Sequence, residues 1–247
     1  MKCIVLAAGY ATRLYPLTEN FPKPLLKVGD RTILDHLLED LSGSPEIGEF
    51  VIVTNHRFAH CFEQWAKTAG YGSPVTILDD GTLTNETRLG AVMDIRFALD
   101  RIGTSEDVLV MAGDNLLDFS LRRFVDYSLE KSTSCIMRYY EPREERLRKC
   151  GVVEIDSGDL VLSMQEKPSE PRSNWCCPPF YFYRSEDLRF VEEGIAEGCG
   201  TDAPGSFACY LQTKTPVHAM LMPGARYDIG NLESYREVCR NYRGVTL

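Results

Sequence analysis

The sequence predicts an α/β fold: a doubly wound, mostly parallel sheet with a smaller antiparallel lobe added to it. Three observations carry this. Short apolar runs alternate with amphipathic helical patterns up to about residue 132, the order that builds parallel sheets flanked by helices. After Thr133, strand-like segments follow one another with little helix between them. No internal repeat, low-complexity tract or linker interrupts the 247 residues, so the chain reads as one domain, 1–247, with lobes of about 1–132 and about 133–247.

The elements are read in order. Cys3 to Leu6 is a short apolar run suited to a buried strand. Ile33, Leu34, Leu37, Leu38 and Leu41 share one face of a helix over 32–41, which Ser42-Gly-Ser-Pro45 ends. Strands are expected at 50–53, 75–78 and 108–111, with helices at 57–69, 87–99 and 119–129 between and after them. Strands follow at 134–139, 151–155, 160–165 and 180–183. Helical stretches at 185–196 and 206–211, a last strand at 217–222 and a terminal helix at 231–242 complete the chain. Gly9, the Asp79-Asp80-Gly81 loop and Gly113-Asp114 all follow strands of the first lobe, where ligands of such sheets bind.

Charge and cysteine content narrow the function. The net charge is -9, which argues against a nucleic-acid or anionic-membrane surface as partner. No apolar run approaches the length of a membrane span. The N-terminus enters a strand at once, without a signal peptide, so a cytoplasmic protein is expected. Nine cysteines include no Cys-x-x-Cys pair with a metal partner, and all nine read as reduced thiols. Cys176-Cys177 is the one unusual pair.

The stretch from Lys2 to Val28 carries the most chemistry. After the first strand come small residues, Ala7-Ala8-Gly9, where backbone can approach a ligand closely. Thr12, Arg13 and Lys23 follow, and Pro16, Pro22 and Pro24 hold the segment as a stiff loop. Amides, a hydroxyl and two cations on one loop suit a polyphosphate. The spacing of neither a P-loop nor a Gly-x-Gly-x-x-Gly dinucleotide loop is present. Asp114 and Asp228 would satisfy a hard cation, but each alone reads equally well as a turn or cap residue. Gln165-Glu166-Lys167-Pro168 offers a carboxylate and an ammonium, or is a solvated turn. His56 and His60 have metal-binding spacing but no third ligand, and Glu141 to Lys149 reads as a solvated connection.

The run Leu6-Ala-Ala-Gly-Tyr-Ala-Thr-Arg-Leu-Tyr-Pro-Leu-Thr, followed by Pro22-Lys-Pro-Leu, resembles the nucleotidyltransferases that activate sugar 1-phosphates. The resemblance implies a Rossmann-like fold of the nucleotide-diphospho-sugar transferase type, with a nucleotide-binding lobe first and an acceptor-binding lobe after it. It implies an Mg²⁺-dependent enzyme that joins a nucleoside triphosphate to a sugar 1-phosphate by in-line displacement. Dimers and tetramers are common in the family, so a homo-oligomer is open. By resemblance, Leu6, Ala7, Ala8, Gly9, Thr12, Arg13, Asp79, Gly90 and Asp114 bind the nucleotide. Lys23, Gly151, Glu166, Lys167 and Asn174 bind the acceptor. Arg13 and Lys23 are the catalytic cations, and Asp114 and Asp228 the metal ligands.

The match departs from the family at three places. Ala11 stands where most relatives have glycine. The loop expected to read the base runs Asn85-Glu-Thr87-Arg88-Leu-Gly90 where relatives commonly have a Gly-Thr turn. Cys176-Cys-Pro178-Pro179 replaces a segment that usually carries a glycine near the sugar. A cytidylyltransferase acting on phosphocholine and a non-catalytic nucleotide-sensing module therefore stand as alternatives.

Overall fold

The opening apolar run becomes strand β1 (Lys2–Leu6) in the computed structural model, which describes residues 1–246. The chain continues through β2 (Lys27–Val28), β3 (Arg31–Thr32), α1 (Ile33–Leu41), β4 (Glu49–Thr54), α2 (His56–Thr68) and β5 (Val75–Asp79). Next come α3 (Ala91–Ile102), β6 (Val108–Ala112), β7 (Asn115–Leu117), α4 (Arg122–Lys131), β8 (Ser134–Tyr140) and α5 (Glu144–Leu147). The remainder is β9 (Gly151–Ile155), β10 (Val161–Glu166), β11 (Trp175–Cys177), β12 (Phe180–Tyr183), α6 (Phe190–Ala196), α7 (Gly205–Leu211), β13 (Val217–Leu221), β14 (Arg226–Asp228) and α8 (Leu232–Asn241). The α/β class is as expected.

Two compact units are built from alternating stretches of the chain. One consists of 1–88, 112–123 and the chain from Pro223 on; the other of 89–111 and 124–222.

In the first unit β4 lies parallel to both β1 and β5, with Ile4 opposite Val51 and Ile52 opposite Ile77. Thr32 and Asp35 form a capping box that starts α1, and the Asp35 carboxylate also accepts from Trp65 and Tyr71. β14 pairs antiparallel with β7. Leu14, Ile33, Leu116, Ile229, Val238 and Tyr242 bury one another beneath this ribbon, fixing it against α1 and α8.

In the second unit β12 is antiparallel to β6 and β8, β11 to β8 and β9, and β10 to β9. β13 joins β8 in parallel, so this sheet is mixed.

The structure corrects several boundaries. The helix expected from Thr87 starts at Ala91, because Gly90 turns the chain at φ 93. The helix expected from Phe119 starts at Arg122, since Asp40 accepts from the Leu121 amide and holds that segment outside the helix. The 185–196 stretch breaks into a 3₁₀ turn (Ser185–Asp187) and α6. Glu141 to Lys149 is mostly exposed, as expected of a solvated connection, but it is anchored at two points: Glu141 is buried against Arg143, and the one-turn helix α5 buries Leu147. The ribbon β7–β14 is too short for periodicity to reveal.

Candidate active site

The opening loop is braced at Ala7, Ala8 and Ala11. The Ala7 amide donates to the Val53 carbonyl at 2.8 Å, so the strand pairing runs one residue past β1. The Ala8 carbonyl accepts from Asn55 Nδ2 at 2.9 Å, while Asn55 Oδ1 caps α2 through the Phe58 amide at 3.0 Å. Asn55 is fully buried and does both jobs. Ala11 adopts the left-handed conformation, φ 46 and ψ 43, and Thr12–Leu14 follow as a single 3₁₀ turn. The Ala11 carbonyl accepts from the Leu14 amide and the Thr18 hydroxyl, which ties the bend down. Glycine adopts that φ without the strain a Cβ brings, which suits the glycine that the family resemblance implies at this position.

Close approach places Asp114 beside this loop. The Gly113 amide donates to the Leu6 carbonyl at 3.0 Å. A Cβ on Gly113 would stand 2.8 Å from Val5 Cγ1, so only glycine lets this turn lie against β1. Leu6, Ala7, Gly9, Arg13, Lys23 and Asp114 then line a cavity of about 280 Å³, with Ile229 and Gly230 on its wall.

The polar centre of that cavity is a chain of contacts. Lys23 sits on a 3₁₀ turn entered through Pro22, is 6% exposed, and donates from Nζ to Asp114 Oδ2 at 2.7 Å. Asp114 Oδ1 accepts from Asn115 Nδ2 at 2.9 Å, and Asn115 Oδ1 accepts from the Arg226 guanidinium at 2.7 Å. Burial pushes the Asp114 carboxyl up, but the Lys23 ammonium and the Arg226 charge outweigh it and hold the group below its ordinary value. The β7–β14 register sets Asp228 opposite Asn115, so both predicted metal ligands lie at one end of the same ribbon. Asn115 and Arg226 were not legible as site residues; an Asn after the Asp and an Arg two before the second Asp are too common to stand out.

Asp79 points its carboxylate into its own turn: Oδ1 accepts from the Gly81 amide and Oδ2 lies 2.6 Å from His56 Nδ1. Arg88 is exposed and donates to the Asn85 carbonyl within its own loop. His60 lies 3.9 Å from Glu63, and among the described residues no group of three or more His, Cys, Asp or Glu side chains is placed to hold a metal.

The second unit holds the remaining predicted residues, with Gly151 packed against Glu166, the last residue of β10. A Cβ on Gly151 would lie 3.2 Å from Glu166 Oε2, and one on Gly205 would collide with the same oxygen. Burial raises the Glu166 carboxyl above its ordinary value; Lys167 works against this and Asp202 with it. Lys167, at φ 46, donates its amide to the Cys150 carbonyl, and its ammonium stands 3.9 Å from Asp202. Asn174 donates from Nδ2 to the Glu141 carbonyl at 3.0 Å, so its amide braces β8. Gly90 packs against the Thr201–Asp202 backbone, whose carbonyls accept from the Val92 and Ala91 amides. Those carbonyls occupy the first donors of α3. Gly205, at the head of α7, was not predicted; a glycine opening a helix gives no sequence signal of its own.

Two carboxylates, with waters and substrate phosphates, are what Mg²⁺ commonly takes from a protein. Asp114 and Asp228 fit that donor set in chemistry and in placement on one ribbon end.

A family model described as "Nucleotidyl transferase" matches residues 2–244. The chain belongs to the nucleotidyl transferase family. Among curated members it is 24% identical to a UTP–glucose-1-phosphate uridylyltransferase of Synechocystis sp. over 247 residues, which is 97% of this chain and 63% of that protein. It is 29% identical to a glucose-1-phosphate thymidylyltransferase of Mycobacterium tuberculosis over 246 residues, 95% of this chain and 79% of that one. The chain thus spans a little under two thirds of the Synechocystis relative. A solved structure of a UDP-glucose pyrophosphorylase with UDP-glucose superimposes with a TM-score of 0.81 at 20% identity, covering 98% of this chain and 97% of that one. That likeness establishes the family's fold for this chain.

Proposed function

We propose that this protein is an Mg²⁺-dependent nucleotidyltransferase that joins a nucleoside triphosphate to a sugar 1-phosphate, yielding a nucleotide-diphospho-sugar and pyrophosphate. The observation that carries the reading is the ion pair of buried Lys23 with Asp114 on the wall of a cavity that Arg13 and the small residues Ala7 and Gly9 also line. The printed names of the Synechocystis and Mycobacterium relatives point to glucose 1-phosphate and to UTP or dTTP as the first substrates to try.

In this reading an oxygen of the acceptor's phosphate attacks the α-phosphorus of the triphosphate. A new P–O bond forms as the bond to the bridging oxygen of the β-phosphate breaks, and pyrophosphate leaves. The attacking oxygen is already ionised at neutral pH, so no general base is required and the protein's task is positioning and charge neutralisation. Arg13 neutralises the triphosphate and the departing pyrophosphate. Lys23 holds the α-phosphate and the attacking phosphate together, its ammonium aimed by Asp114. Mg²⁺, held by Asp114 and Asp228, would supply further charge neutralisation at the phosphate oxygens. Leu6, Ala8, Thr12, Asp79 and Gly90 are assigned to the nucleotide. Gly151, Glu166, Lys167 and Asn174 are assigned to the acceptor, Glu166 to its hydroxyls and Lys167 to its phosphate.

A pyrophosphate-release screen with Mg²⁺ tests this, crossing ATP, GTP, CTP, UTP and dTTP with a panel of sugar 1-phosphates and phosphocholine. One strong pair containing a sugar 1-phosphate supports the reading. Turnover with phosphocholine alone would replace the acceptor class. Nucleotide binding without turnover anywhere in the matrix would replace the enzyme with a sensing module.

A further inference from the structure

We propose that Cys150 and Cys176 are a reversible disulfide-modification site at the head of β9. Their sulfurs lie 2.7 Å apart, and neither cysteine is in a disulfide. A disulfide needs about 2.05 Å between sulfurs, so the gap left to close is well under about 1 Å. The backbone brings them together. Cys150 immediately precedes β9, and β11 runs antiparallel to β9 with Cys176 opposite Val152 and Cys177 opposite Gly151. Cys150 is thus a diagonal neighbour of Cys176 across the ladder.

The vicinal pair that stands out in the sequence is not the reactive one. Successive strand residues point to opposite faces. Cys176 therefore turns to Cys150, while Cys177 is buried with its sulfur 3.4 Å from the Pro178 carbonyl oxygen. The two thiols of the proposed pair differ in access. Cys150 is only partly buried; Cys176 is fully buried, and its thiol is pushed up by the contact with Cys150 and by burial. Cys150 is the attacking thiol and Cys176 the resolving one.

A low-molecular-weight disulfide serves as oxidant. The Cys150 thiolate attacks one of its sulfurs, the small S–S bond breaks, and one small thiolate leaves. Cys176 then attacks the Cys150 sulfur, the mixed disulfide breaks, and the second small thiolate leaves with the Cys176 proton. Two protein thiols are oxidised and one small disulfide is reduced to two thiols.

The bond falls one residue from Gly151, which packs against the Glu166 carboxylate, and on the residue whose carbonyl holds the Lys167 amide at 3.1 Å. Closing it clamps the start of β9 to β11 beside the Glu166–Lys167 turn.

The test is to expose the full chain to oxidised glutathione, alkylate the remaining thiols and map peptides without reduction. The expected result is a peptide pair joined through Cys150 and Cys176, a loss of two alkylatable thiols per chain, and recovery of both with dithiothreitol. In Cys176→Ala the reaction should stop at a glutathione adduct on Cys150. Absence of the link in the wild type, a Cys176–Cys177 link, or a wild-type adduct that never resolves would each overturn the proposal. The mapping does not depend on turnover, so its failure leaves the proposed activity standing, and failure of the activity leaves the mapping unaffected.

Discussion

Lys23 Nζ and Asp114 Oδ2 stand 2.7 Å apart although 91 residues separate them in the chain. One residue comes from a proline-fixed turn and the other from the end of β6, and Gly113 is the hinge that lets them meet. The pair holds a cation ready at the cavity wall before any substrate arrives. Lys23→Met removes the cation and leaves the carboxylate without its shortest contact. We expect kcat to fall roughly 100- to 1000-fold, as when a preorganised charge at the transition state is lost. Stability should fall by about 1–3 kcal/mol. Steady-state pyrophosphate release and urea unfolding check the two parts.

Arg226 hydrogen-bonds Asn115, which in turn hydrogen-bonds Asp114, and the β14–β7 register places it there. It is a positioning residue. Arg226→Ala should raise the Mg²⁺ concentration needed for half-maximal rate about 10- to 100-fold, the usual effect of losing a group that orients a metal-binding carboxylate. An Mg²⁺ titration checks this. A fall in kcat with no change in the Mg²⁺ requirement would show a role other than orientation.

Ala11 carries a side chain at φ 46. Ala11→Gly relieves that strain and should stabilise the protein by about 1 kcal/mol without loss of turnover. Thermal unfolding of the two proteins side by side is the measurement, and a lower Tm for Ala11→Gly would refute it.

Glu166 combines burial with two close glycines, and its carboxyl is raised above 4.5. The folded state therefore binds this proton more tightly than the unfolded state. The stability that Glu166 contributes is full below pH 4.5 and is lost as pH rises through the raised value. Glu166→Gln removes this dependence, so the variant should be more stable than wild type at neutral pH and no more stable near pH 4. Its KM for the acceptor should rise about tenfold, the scale of one charged hydrogen bond. Denaturant titrations at several pH values and acceptor saturation curves test both.

The sequence carried unequal amounts of this account. Alternation of strand and helix revealed the fold class because β1 and β4 are buried apolar runs, β5 is a half-buried one, and α1 and α2 are strongly amphipathic. Arg13, Lys23 and Asp114 stood out on the opening loop and at a strand end, and one cavity receives all three. What stayed hidden depends on contacts distant in sequence. Asn55 looks like an ordinary helix cap until its amide is seen to hold the Ala8 carbonyl. Gly205 matters only because the Glu166 carboxylate lies where its Cβ would be. Cys150 directly follows a charged run that reads as solvated, and its partner is set by a three-residue strand.

The central claim is that Asp114 and Asp228 act together through Mg²⁺ in phosphoryl-group chemistry. The measurement that tests it most directly is Mg²⁺-dependent pyrophosphate release by wild type, Asp114→Asn and Asp228→Asn, with circular dichroism confirming that all three are folded. The account predicts saturable Mg²⁺ activation of the wild type and a loss of about 100-fold or more in each folded variant. Wild-type turnover in either variant, or undiminished wild-type turnover with the metal chelated, would contradict it.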